Sequence, residues 1–152
     1  MSLKTLLVAT AAIFLVTPAV ADIEIRDAYA RAAMPNAKAG AAFMEIVNTG
    51  PADDRLIGAA SEIAGKVELH THVDDGNGIM QMLEVEEGFP VPAGRAHVLQ
   101  RGGDHVMFMG LKGPMNDGES IVVTLTFEEA GDLTIEIPVD LQRSDSKPST
   151  GN

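Results

Sequence analysis

The chain has 152 residues, the length of one ordinary domain. Its 22 acidic residues face 11 Lys and Arg, for a formal charge of -11, and such a surface repels nucleic acid and anionic lipid. There is no cysteine, which excludes thiol catalysis, iron–sulfur clusters, cysteine zinc sites and blue-copper electron transfer.

Taken in chain order, the first 21 residues read as a secretory leader. Lys4 is its positive end, Leu6 to Val16 its apolar stretch, and Ala19-Val20-Ala21 its cleavage signal. The apolar stretch is too short to span a bilayer, and no later stretch is long and apolar enough. The expected exported protein starts at Asp22, is soluble in the periplasm and inserts in no membrane. After it, Gly, Pro, Asn or Asp interrupt the chain at short intervals, and β-rich segments lie between. Strands are predicted over 23–30, 41–48, 55–61, 66–72, 79–85, 96–100, 105–111, 120–128 and 133–140. Asp117-Gly118 and Gly131-Asp132 have the composition of hairpin turns, and 74–78 and 48–54 that of loops. Residues 59–66 are long enough for one helical turn. The polar segment 142–152 is expected to be a disordered tail. This pattern predicts an all-β, antiparallel sandwich or barrel over 22–141, with about 120 residues to bury a core without disulfides.

Histidine and methionine are gathered in three of these strands. Alternation puts Glu68, His70 and His72 on one face, opposite Val67 and Leu69. It puts Met80 and Met82 together, and His105, Met107 and Met109 together, opposite Val106 and Phe108. A lone Met on a strand is ordinarily core filling, so Met34, Met44, Met80 and Met115 read as packing. His97 reads as an ordinary hydrogen-bonded histidine, and either Met107 or Met109 is core if the pleat is reversed. The combination reads otherwise. His-x-Met holds two donors about 6–7 Å apart at Cα, close enough to share one ion. Thioethers and imidazoles suit Cu(I) and are poor ligands for Mg²⁺ or Ca²⁺. Thioethers also cannot be lost to disulfide formation in an oxidising compartment, although they oxidise to sulfoxide.

These donors resemble the motif of the PCu(A)C family of periplasmic copper chaperones: His, an optional Met, ten residues, Met, about twenty-one residues, then His-x-Met. Here His70 is followed by Thr71, by Met82 after ten residues, and by His105-Val106-Met107 after twenty-two. The extra residue is placed in a loop at 84–92. The segments 28–50, 53–70, 91–114 and 117–131 also follow the family, with Tyr29 where a Trp is common. Thr71 replaces the optional Met, a position His72 or Met80 is able to cover.

The resemblance implies a cupredoxin-like, Greek-key β-sandwich binding one Cu(I) per chain through His70, Met82, His105 and Met107. Met80, His72 and Met109 are auxiliary candidates. The implied role is copper delivery to cytochrome c oxidase, notably its subunit II, beside a thioredoxin-like assembly chaperone. The implied protein is a monomer and not an enzyme; no nucleophile elbow, phosphate loop or HExxH stands in the chain. Two other readings use the same residues: a secreted interaction module without metal, whose methionines pack or form a contact patch, and a periplasmic copper buffer or sensor built on His70 and His72.

Overall fold

The computed structural model describes residues 21–144. The expected leader, up to residue 20, and residues 145–152 of the expected tail lie outside the described residues. Ten strands follow in order: β1 (Ile23–Ala32), β2 (Ala39–Asn48), β3 (Asp54–Ala60), β4 (Ala64–Asp74), β5 (Met80–Glu84), β6 (Phe89–Val91), β7 (Ala96–Leu99), β8 (His105–Leu111), β9 (Ser120–Phe127) and β10 (Gly131–Pro138). They form two antiparallel sheets. One runs β1-β2-β8-β4-β5, with β7 also on β2, and the other runs β10-β9-β3-β6. The expected all-β sandwich is what the chain forms.

Alternation along each strand decides which side is inside. On β9, Ile121, Val123, Leu125 and Phe127 are buried and Val122 between them is exposed. On the facing sheet, Leu69, Val106 and Phe108 point inward and meet Leu56, Phe89 and Ile137 in one core. Each such side chain contributes about 1.5–3 kcal/mol of burial, so the sandwich stands without a disulfide.

Buried polar groups close the strand ends. Asn48 is fully buried; its amide donates to the carbonyls of Ala52 (2.7 Å) and Val91 (2.9 Å) and accepts from the Gly50 N–H (3.0 Å). The Asp54 carboxylate accepts the N–H groups of Arg55, Glu129 and Ala130 and so caps the β9–β10 turn.

Four local expectations change. Residues 84–92 are not only a loop, because Phe89–Val91 pairs with β3 as β6. Asp117-Gly118 is no hairpin turn: it lies between β8 in one sheet and β9 in the other. There Asp117 accepts the Leu141 N–H (2.7 Å) and Gly118 donates to Val139 (2.9 Å). Gly131 does sit at a hairpin, but as the residue paired with Phe127 that ends a turn made by residues 128–130. Residues 61–63 form a tight turn rather than a helical one.

Candidate metal centre

The site lies where β8, β4 and β5 run side by side. Register places His105 opposite His70 and Met107 opposite Glu68 across β8 and β4. Across β4 and β5 it places His72 opposite Met82 and Asp74 opposite Met80. Directly opposed residues of an antiparallel pair share a face. Glu68, His70, His72, Met80, Met82, His105 and Met107 therefore stand on one side of the sheet, away from Leu69, Val106 and Phe108.

An open cleft of about 680 Å³ lies over this face. His72, Met80, Met82, His105 and Met107 line it, with Phe43 of β2 as part of the wall. Three of the four residues expected as ligands thus open onto one space. The fourth, His70, lies beside them without lining the cleft; its ring is 5.9 Å from that of His105. His72 stacks on His105 at 5.1 Å. Met80, read from sequence as packing, is instead exposed at the cleft. Met44 and Met115 are core, as read, whereas Met34 is exposed, and His97 is hydrogen-bonded to Asp104 (2.7 Å). Met109 stands on the same face, opposite Lys66 and Ala39, but does not itself line the cleft.

His105 and His70 are each held by one nitrogen and leave the other. His105 is 2% exposed and donates Nδ1–H to the carbonyl of Gly103 (3.0 Å), which fixes the tautomer and leaves Nε2 as a donor. The Gly103 carbonyl is aimed by a tight turn. Gly102 has φ +79°, the Gly103 N–H donates to Gln100 (3.0 Å), and the Gln100 N–H to Asp104 (2.9 Å). His70 donates Nε2–H to Glu68 (2.7 Å), and its Nδ1 is buried with no hydrogen-bond partner among the described residues. The Nδ1 of His72 is buried and unpartnered in the same way. Lys66 and His70 beside it hold Glu68 below the ordinary carboxylate range, so it is an anion. A carboxylate behind an imidazole whose other nitrogen is free is the usual arrangement of a histidine ligand and its support. No cluster of three or more His, Asp or Glu among the described residues has the arrangement to hold a metal; the other soft donors at the cleft are the thioethers of Met80, Met82 and Met107.

Burial pushes the His105 imidazole below its ordinary 6.5; the Gly103 bond opposes this, and His72 and His70 add to it. In the unfolded chain the ring takes up its proton near 6.5, and in the folded chain only at lower pH. The stability it carries is therefore complete above 6.5 and is lost as pH falls below that. Unfolding midpoints of the metal-free protein at about pH 7.5 and about pH 5.5 should decrease with pH, and His105→Gln should flatten the slope. An unchanged slope would exclude His105 as its source.

Glu68 is a functional neighbour of His70 whose role is not visible in the sequence. The signal was the alternation of Glu68, His70 and His72, which already set all three on one face. The Gly103 carbonyl carried no signal, because a backbone oxygen has none in a sequence.

The family described as "Putative lipoprotein LpqE-like" matches residues 23–139. A protein of Leifsonia xyli subsp. xyli named "Putative lipoprotein Lxx21020" is 40% identical over 99 residues, which are 65% of this chain and 59% of that protein. The alignment thus spans less than two thirds of the relative's length. Among solved structures, the copper-bound PCuAC domain from PmoF2 is 26% identical with a TM-score of 0.65, covering 82% of this chain and 97% of that one. The solution structure of CuI-DR1885 from Deinococcus radiodurans is 32% identical with a TM-score of 0.60, covering 78% and 79%. The apo PCuAC domain from PmoF1, 24% identical with a TM-score of 0.64, shares the fold.

Proposed function

The chain belongs to the LpqE-like family, has the sandwich of the PCuAC domains, and from the donors its face collects we propose that it is a copper chaperone. The observation that carries this reading is the single cleft shared by Met82, His105 and Met107, with His70 across the ladder offering a buried, unpartnered Nδ1. The proposed cargo is one Cu(I) per chain, bound by His70, Met82, His105 and Met107. Two thioethers and two neutral imidazoles suit that ion and disfavour Mg²⁺ and Ca²⁺. The copper carried by the PmoF2 domain and by CuI-DR1885 supports the choice.

Delivery requires that a recipient's ligand enter before the donor's ligands leave. Met82 is 43% exposed on an edge strand while His105 is buried, so a recipient meets a loose sulfur first and a fixed nitrogen last. We place the protein outside the cytoplasm, in the periplasm, behind a leader cleaved after Ala21; the lipoprotein names of the family and the relative support export. The recipient we propose is cytochrome c oxidase subunit II, reached together with a thioredoxin-like assembly chaperone. In this reading the protein is a monomeric carrier and not an enzyme.

The test is an anaerobic Cu(I) titration against a competing chelator. One tight equivalent is expected. His70→Gln should weaken it at least about tenfold, because an outer-shell partner alone is worth about 10–100-fold. His72→Gln should leave it within about threefold, since that ring stands at the cleft without being one of the four. The opposite ranking would move the site from His70 to His72. The absence of any competitive binding would end the chaperone reading.

A further inference from the structure

The β5 arm of the β4–β5 hairpin lies open to solvent. Leu69 of β4 is buried in the core, but every residue of β5 is exposed, and so is Val73 opposite it. Of nine large apolar side chains that are exposed among the described residues, five lie in this hairpin: Val73, Ile79, Met80, Met82 and Leu83. Apolar surface gathered on one projecting ribbon, on both its faces, is an interaction surface rather than scatter.

The outer edge of the ribbon is open. β5 is the last strand of its sheet. The Val85 N–H donates to Leu69 (2.8 Å) and the Asp75 N–H to Ile79 (3.0 Å). Bonded pairs alternate along an antiparallel ladder, so Gln81 and Leu83 face β4, and the N–H and C=O groups of Met80, Met82 and Glu84 point outward. Edges that must stay single carry Pro, Lys, a bulge or a cover; Met80–Glu84 carries neither Pro nor Lys and pairs with β4 in unbroken register.

Charge identifies the occupant. Between Lys66 and Arg95 the chain has Glu68, Asp74, Asp75, Glu84, Glu86 and Glu87 and no Lys or Arg. A second copy would bring the same acidic ribbon against this one and be repelled. We propose that β5 is a docking edge that takes an extended segment of a partner protein, apolar on one face and rich in Lys or Arg, as an added antiparallel or parallel strand. Alternate side chains of that strand stand beside Met80 and Met82 on the cleft face. A soft donor there would reach the cargo, a consequence that rests on the copper reading, whereas the pairing does not.

The full chain, free of metal, is mixed with a capped peptide of alternating Lys and Val, about nine residues long to cover β5 with overhang. The same peptide N-methylated at alternate amides is the control. Amide hydrogen exchange is read residue by residue. At saturating peptide the amides of Met80, Met82 and Glu84 should gain at least about fivefold protection, and the effect should fade with added salt. The N-methylated peptide should give none. Protection elsewhere, equal binding of both peptides, or no binding at millimolar peptide would overturn the docking edge. So would protection of these amides that rises with protein concentration alone, which would assign the edge to a second copy. Because no copper is present, failure here leaves the Cu(I) titration to stand or fall separately.

Discussion

His105→Ala is expected to cost at least about 100-fold in Cu(I) affinity, since losing an outer-shell partner alone costs about 10–100-fold and this change removes a proposed ligand. His105 is the best-held donor of the set. It is 2% exposed, its Nδ1–H is fixed on the Gly103 carbonyl, and its ring lies beside Phe43 at 6.1 Å and His72 at 5.1 Å. In the proposed site its Nε2 would therefore meet the ion with little reorganisation. Alanine removes that nitrogen and also leaves a cavity, so the effect on the fold must be separated from the effect on the ion. His105→Gln retains most of the volume and supplies a hard amide in place of imidazole. Thermal melts with and without Cu(I) make the separation. Wild-type protein should gain about 4 kcal/mol with free copper at about a thousand times Kd. Both variants should gain far less, whatever their metal-free stability. Full stabilisation of either variant by copper would remove His105 from the site.

Gly88→Ala is expected to be the most damaging small substitution in the fold. Gly88 has φ +74°, closes the turn that begins at Val85 and leads into β6. A Cβ there would lie 2.0 Å from the carbonyl oxygen of Leu56, which is backbone of a fully buried residue and has nowhere to go. Backbone strain of about 1–2 kcal/mol adds to an overpacking cost of about 1–3 kcal/mol. A loss near 3 kcal/mol lowers the melting temperature by roughly 10 °C in a domain of this size. Gly76→Ala is the matched comparison, because Gly76 also has positive φ, +83°, and nothing lies within 4 Å of the added Cβ. It should lose only the strain. Equal melting temperatures for the two variants would show that the collision with Leu56 is relieved at no cost.

The strands were largely legible because each is a local pattern. Alternation in SIVVTLTF and HVMFMGL sets one apolar face whatever the partner strand is. β6 escaped because Phe89-Pro90-Val91 is short and holds a proline, which argues against a strand unless it lies at an edge; β6 does lie at an edge. Asp117-Gly118 misled because the turn composition of a hairpin and of a crossover is the same, and only the destination of the next strand differs.

The donor set divides in the same way. The sequence determined that His105 and Met107 share a face, that His70 and His72 share one, and that soft donors recur at a spacing known from copper carriers. It could not determine that β4 runs between β8 and β5. That neighbour order comes from which apolar faces meet in the core, with segments from Leu56 to Ile137 taking part. Only the tertiary structure therefore decided that His70 stands opposite His105, that Glu68 takes the Nε2 of His70, that Met80 opens onto the cleft, and that β5 keeps a free edge. Side-chain period is a property of one strand, whereas register, burial and the free edge are properties of strands brought together from far apart in the chain.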